Sequence, residues 1–335
     1  METKKISPEM TSLLQQVGDK NPEIAKAALA ELAVALTLPL QQGVLKGNIL
    51  DMYEEIPLEP GALPEFPLDF LSPGTEKDHT AFTMPNVGSI PQRNVEGDYI
   101  MVNTYGVANT IDWPLRYARN ARWDVMGRAM QVLEGGFIRK DNQDGFRTIL
   151  AAAKNRNLVV YDNAATSGLF TKRLITLTKT TMRRNAGGNS TSVNKGKLTD
   201  LYMSPESIED IRSWDLSQID DITRREIFLN TEDDGIPVFP QIFGVKLHDI
   251  DELGQGQEFE LYYENTLGGT LPTDKVEIVV GLDLRNRDSF VNPIREKLEL
   301  FEDPTFHRQR RASLYGWKEH GWAVLGSRRV ILASI

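Results

Sequence analysis

The chain contains no cysteine. Disulfides, thiolate metal sites and cysteine nucleophiles are therefore excluded, and the composition suits a reducing compartment. Histidine is scarce: His79, His248, His307 and His320 are widely scattered, and each reads as a surface or strand residue. Long apolar runs are missing too. The most apolar stretch, Ala27–Leu40, carries Glu31 and is interrupted by Pro39, short of the roughly 18 residues that span a bilayer. Lys4 and Lys5 are followed by polar residues rather than an apolar run, so no signal peptide is expected. The catalytic strings GxSxG, HExxH, Walker A and GxGxxG do not occur. Nor is there excess positive charge. A net charge of -9 argues against a general DNA binder, which needs clustered Lys and Arg, and leaves room only for local basic patches.

What is present reads as an ordinary globular chain, 40% hydrophobic and 25% charged. Its 335 residues exceed the roughly 250–300 at which a single core stops growing, so two lobes plus arms are expected. Ser7 and Pro8 open a short helix that Gly18 stops. Asn21-Pro22-Glu23 opens a second, expected to run to about Leu36 and to end at Pro39. Prolines and glycines spread through 37–78 predict an extended, irregular arm. Residues 79–106 read as a long β-hairpin, with His79–Met84 and Tyr99–Tyr105 as flanks of a turn-rich centre. Asp112 as cap and Pro114 in the first turn predict a long helix over about 112–155. Ala118, Ala121, Val125, Ala129 and Val132 form its apolar face, and Gly135-Gly136 is a place to bend.

Further on, Leu158–Tyr161 reads as a strand, and a helix from about Leu169 to Arg184 ends in two arginines that suit its negative end. Asn185–Lys197 reads as a loop. Leu198–Met203 is a strand, Ser204 a helix cap and Pro205 the first helical residue, with Ile208 and Ile211 facing inward. Strands are expected at Glu226–Leu229, Ile242–Leu247, Glu258–Tyr263 and Lys275–Leu284, and antiparallel strands over Arg311–Ile335. There is no internal repeat. This order of elements is α+β rather than alternating βαβ.

Candidate chemistry is thin. Asp249, Asp251, Gly254 and Glu260 fall at positions one, three, six and twelve of a calcium loop. Leu253 and Gly256 occupy places that should hold an oxygen ligand and an apolar anchor, so the stretch reads as an acidic inter-strand loop, with calcium second. Asp220-Asp221 and Asp233-Asp234 read as solvated acids rather than an acid–base pair. Gly187-Gly188, with Lys195 and Lys197 near, reads as a connector rather than a phosphate cradle. Two basic clusters stand out: Arg308, Arg310 and Arg311 beside His307, and Arg328-Arg329. Glu302 and Asp303 are nearby partners, and pairing with carboxylates, within the chain or between subunits, suits the planar guanidinium.

Several strings, in this order, resemble tailed-bacteriophage major capsid proteins, whose shell fold is named for phage Hong Kong 97. They are Ile111-Asp112-Trp113 to Ala129-Met130, Phe170-Thr171-Lys172-Arg173-Leu174, and Met182-Arg183-Arg184-Asn185. Next come Lys197-Leu198-Thr199-Asp200-Leu201-Tyr202 with Ser204-Pro205-Glu206, then Tyr315-Gly316-Trp317 with Gly321-Trp322 and Arg328-Arg329-Val330. The resemblance covers about residue 30 to the end. It implies an α+β Hong Kong 97-like capsid fold: an N-terminal arm over 1–78 and an extended hairpin loop over 79–106. A peripheral domain with a spine helix covers 107–159, an axial domain covers 160–285, and 286–335 returns to the peripheral domain.

The resemblance further implies a structural subunit, not an enzyme, that forms pentamers and hexamers of an icosahedral head around double-stranded DNA. It implies a location in the virion, assembled in the host bacterial cytoplasm, with portal and decoration proteins as partners and no membrane. The N-terminal helices are too short for a fused scaffolding domain, so a separate scaffolding protein is expected. Residues 79–106 contain no lysine, so the shell is expected to be held non-covalently. No catalytic residue, cofactor or metal is expected. The residues assigned to inter-subunit contact are Arg93, Arg116, Arg119, Arg308, Arg310, Arg311, Arg328 and Arg329. Rival readings are an encapsulin-like bacterial compartment of the same fold, a soluble α+β enzyme, and a ring-forming portal protein.

Overall fold

The computed structural model describes residues 8–19, 21–46, 52–67, 99–120, 122–185, 196–214, 241–285, 289–303 and 309–335. Outside them lie Ser7, most of the hairpin expected over 79–106, the Gly187-Gly188 loop, the strand expected at Glu226–Leu229, Asp220-Asp221 and Asp233-Asp234. In chain order the elements are α1 (Pro8–Val17), α2 (Pro22–Lys46), β1 (Glu54–Pro57), β2 (Glu65–Pro67), β3 (Tyr99–Met101), β4 (Tyr105–Pro114), α3 (Leu115–Arg119) and α4 (Trp123–Arg156). Then follow β5 (Val159–Tyr161), α5 (Lys172–Asn185), β6 (Asp200–Met203), α6 (Pro205–Ser213), β7 (Gln241–Ile242), β8 (Val245–Asp249) and α7 (Glu258–Leu261). The last are β9 (Ile278–Leu282), β10 (Phe290–Asp303), β11 (Arg311–His320), β12 (Ala323–Val324) and β13 (Val330–Ser334). Two compact units result: one from residues within 1–64, 101–145 and 292–323, the other from residues within 65–100, 146–291 and 324–335. The chain is α+β.

In the first unit, strands run in the order β1-β10-β11-β4. Their core holds Val107, Ile111, Trp113, Leu298, Leu300 and Leu314, covered by Leu133 and Phe137 of α4 and by the apolar stripe of α2. That stripe, Leu29, Leu32, Ala33, Leu40 and Val44, runs past Pro39. The helix expected to end there continues to Lys46, a correction to the expectation. Pro39 lies on the exposed side, and the carbonyl it leaves without an intrahelical donor can face water. A mid-helix proline costs ~3 kcal/mol. Burial of Leu40 and Val44 offsets it, and Gln41 Nε2 donates to the Leu298 carbonyl at 2.6 Å. The segment 37–78 is therefore not uniformly extended: its described part holds the end of α2 and the strands β1 and β2.

The long helix also begins later than expected. Residues 105–114 form β4, paired antiparallel with β11 over ten consecutive positions from Tyr105↔His320 to Pro114↔Arg311. Val107, Ile111 and Trp113 are buried on one face, a period-two pattern that only a strand presents to a core. Asp112 is thus a strand residue ion-paired with Arg311, and Pro114, extended at ψ 134°, precedes α3. Val132, expected on the buried face of α4, is 69% exposed; Met126, Leu133 and Phe137 are inside instead. The helix passes through Gly135-Gly136 unbroken. A Cβ at Gly136 would strike the Asn109 amide, so the glycine permits close approach to β4.

In the second unit, a six-stranded sheet runs β5-β13-β9-β6-β8-β7. The central strands β6, β9 and β13 are buried along their whole length, as strands covered on both faces must be. The expected strand–cap–helix is present: Ser204 accepts from Ser207 N at 3.2 Å, Pro205 starts α6, and Ile208 and Ile211 are buried. Phe243 and Gly244, both at positive φ, close the β7–β8 hairpin in the manner of a type I′ turn. Glu258–Tyr263 is helical rather than a strand, α7 running into a π-turn at Tyr262–Thr266. Buried Phe259, Glu260 and Tyr263 fit a helical spacing, since Phe259 and Tyr263 are four apart. Arg311–Ile335 holds strands as expected, but β13 pairs parallel with β5 and antiparallel with β9, both in this second sheet. Among the described residues, no helix is long and apolar enough to cross a membrane.

A Cβ at Gly316 in β11 would come within 2.7 Å of the Phe137 ring. Gly316→Ala should therefore destabilise the subunit by about 1–3 kcal/mol through overpacking. Combined with Phe137→Leu it should cost less than the two single changes added together. Urea unfolding of the unassembled subunit measures this, and strictly additive costs would contradict the packing.

Candidate assembly surfaces

The eight arginines singled out in the sequence do not gather at one place. Arg93 and Arg308 lie outside the described residues. Arg116 is exposed, its guanidinium 4.9 Å above the Tyr117 ring and donating to that hydroxyl at 3.1 Å. Arg119 donates to the Gly18 carbonyl at 2.5 Å, tying α3 to the end of α1. Arg310 sits at φ 58°, and its carbonyl accepts the first amide of α3 at 2.9 Å. Arg311 pairs with Asp112. The carbonyl of Arg328 is one of three that accept from the Arg156 guanidinium, and Arg329 donates to Asp283 at 2.6 Å. The charges of Arg311 and Arg329 are thus matched within the chain.

Several ionisable groups are buried, and none of them stood out as a cluster in the sequence. Asp283 is fully buried. Burial alone would raise its pKa, but hydrogen bonds from Arg285, the Lys197 amide and Arg329 outweigh that and hold it below the usual carboxylate range. Asp141 receives the buried Lys318 ammonium. His320, 3.8 Å from Asp141, is pushed down to about 3 by burial and by the Lys318 charge, so it is neutral. His248 Nε2 bonds to Asp200 at 2.8 Å and stacks on Tyr202. Within the stretch read as a calcium loop, Glu260 folds inward and accepts the Gly256 amide at 2.5 Å, while its Oε1 has no partner. Burial pushes Glu260 up to about 7, helped by the charges of Glu264 and Glu277. Glu277, held by the Ser204 hydroxyl at 2.8 Å, is also raised, chiefly by burial. Among the described residues, no three His, Asp or Glu side chains converge as metal ligands.

The exposed apolar side chains are the more telling feature. On α2, Val34 is 75% exposed and Leu38 62%, on the face opposite the buried stripe, with Ile24 further along. A helix apolar on both sides is one that expects cover on both sides. Val34 and Leu38 line an open cleft of ≈ 510 Å³ with Leu300 and Phe301 of β10, and Phe301 stacks on Tyr315 of β11 at 5.3 Å. In the two-stranded ribbon of β2 and β3, Tyr99, Ile100 and Met101 are all exposed.

No protein-family profile matches the chain, and no curated protein matches it. Solved structures do. A chain of Microbacterium phage Oxtober96 is 12% identical, aligned over 85% of this chain and 89% of that one, with a TM-score of 0.53. The capsid of an empty GTA particle is 11% identical over 86% of this chain and 96% of that one, at 0.52. The mature capsid of bacteriophage PhiM1 is 12% identical over 85% of each, at 0.50. At these identities the likeness is one of fold. The chain has the fold of the capsid shell subunits it is compared with, in agreement with the resemblance read from its sequence.

The buried Glu260 sets a pH expectation. Folding raises its pKa, so its contribution to stability is present below the ordinary value of 4.5 and is lost as pH rises through about 7. Glu260→Gln keeps an acceptor for Gly256 and cannot ionise. The variant should match the parent near the acid end of that range and exceed it above pH 7 by on the order of 2 kcal/mol. Unfolding curves that stay parallel across the range would contradict the assignment.

Proposed function

We propose that this chain is the major capsid protein of a tailed bacteriophage, a structural subunit without catalysis that assembles into the head. The observation that supports the reading is a shell-subunit fold whose second apolar stripe on α2 is left uncovered by the described residues. An isolated subunit gains nothing from exposing Val34 and Leu38, whereas a subunit packed against copies of itself buries them.

In this reading the subunits form pentamers and hexamers of an icosahedral shell enclosing double-stranded DNA. The first unit corresponds to the peripheral domain with α4 as spine helix, and the second to the axial domain. Tyr99, Ile100 and Met101, within the extended loop read over 79–106, are exposed and suit a neighbour's surface. Assembly in the host cytoplasm uses a separate scaffolding protein. Portal, decoration proteins and packaged DNA are further partners, and the exposed Arg116 and Arg310 supply inter-subunit contacts.

The test is a double substitution, Val34→Asp with Leu38→Asp. Both positions are exposed, so subunit stability should change by no more than about 0.5 kcal/mol. Assembly into capsomers or shells, followed by sedimentation velocity, should fall by at least tenfold. Assembly at parental yield would contradict the assigned interface. Nucleic-acid content of particles recovered from infected or expressing cells separates a phage head from an encapsulin-like compartment, which would hold protein cargo instead.

A further inference from the structure

From Lys172 to Lys197 the chain carries cations and no Asp or Glu, although its net charge is -9. Most of them sit on α5. That helix buries Leu174, Ile175, Thr178 and Met182 in the second core. Its outer side is therefore left to charged and hydroxyl residues: Lys172, Arg173, Thr176, Thr180, Arg183 and Arg184 are exposed. Thr176, Lys179, Thr180, Arg183 and Arg184 line an open cleft of ≈ 680 Å³, closed on one side by the ring of Phe243 at the tip of the β7–β8 hairpin.

Local contacts explain part of this. Arg173 lies 3.7 Å from Asp162. Arg183 and Arg184 complement the negative end of the helix. Lys179 Nζ donates to the Phe243 carbonyl at 2.8 Å, and Lys172 sits 5.3 Å above the Phe243 ring. A carbonyl orients the Lys179 ammonium without cancelling its charge. Positive potential therefore remains along the helix, with hydroxyls set between the cations.

We propose that the outer face of α5 is a binding surface for the phosphate backbone of double-stranded DNA, contacted without regard to sequence. The inference rests on the shell reading and names the surface that reading lacks. From Lys172 to Arg183 the helix rises about 16 Å, which passes about five phosphates of one strand at ~3.4 Å of axis each. Arg and Lys with Thr hydroxyls are the side chains that hold phosphate oxygens. A face for a protein partner would offer apolar area to bury. Among the described residues that line this cleft, Phe243 is the one apolar residue and the rest are Thr, Lys and Arg.

The test uses the full chain and a fluorescently labelled duplex of arbitrary sequence, with anisotropy followed over a salt series. The variant is Lys179→Ala, Arg183→Ala and Arg184→Ala together. A control removes three exposed cations elsewhere: Arg122→Ala, Arg128→Ala and Lys297→Ala. The parent should bind with an affinity that falls steeply with salt. The α5 variant should bind at least tenfold more weakly at low salt, its log–log salt slope shallower by about 2–3, while the control stays within threefold. Equal losses in variant and control, or no binding by the parent at low salt, would overturn the proposal. Shell formation is scored on the same proteins by electron microscopy. A parent that binds DNA through α5 but never assembles would sink the shell reading and leave the surface standing. An α5 variant that fails to assemble while binding DNA normally would mark the face as a subunit contact and overturn the DNA assignment.

Discussion

The ladder between β4 and β11 is the constraint on which the first unit depends. It joins residues 105–114 to 311–320 over ten unbroken pairs, and side chains in a strand alternate faces. A slip of one residue would turn Val107, Ile111 and Trp113 outward together. Two features hold the register. Gly316 leaves room for the Phe137 ring, and two residues on, Lys318 reaches the buried Asp141 of the same helix. A slipped strand would set a side chain against Phe137 and leave Asp141 buried without its cation. The loss of one partner from such a pair costs about 3–5 kcal/mol. The pair therefore acts less as net stabilisation than as a penalty on every wrong register.

Once that sheet is fixed, α2 lies across it with one apolar side used and the other left over by the described residues. The same contrast recurs in β3, whose side chains are all exposed, and at Phe301 and Tyr315. These surfaces are modest one by one. In a closed shell each subunit engages many neighbours at once, so contacts weak in isolation become strong together. The buried ionic groups have a different role. Asp283, gripped by Arg285 and Arg329, fixes the start of β13 to the end of β9 inside the second unit and is not offered to a partner.

Elements with one dominant local signal were legible in the sequence. The strand, Ser204 cap and α6 are where the spacing puts them, because an Ser-Pro start followed by an apolar period admits little else. The helix α5 is likewise in place. Misreadings arose where two local rules competed. Asp112 and Pro114 fit a helix start, yet they also fit the end of a strand, and the period of Val107, Ile111 and Trp113 decided it. Pro39 should stop a helix, but buried residues beyond it outweighed the proline. The strand β10 was missed because Arg295, Glu296 and Lys297 break its alternation, at the point where its pairing with β11 shifts register. The surfaces were the least legible. Whether Arg329 faces a neighbour or Asp283, and whether Val34 is covered, depends on segments far apart in the chain.

The most direct measurement is negative-stain electron microscopy, with sedimentation, of the purified chain alone and with a scaffolding protein. The account predicts rings or closed shells of uniform curvature in at least the scaffolded sample. A compact, monodisperse monomer under every condition would contradict it.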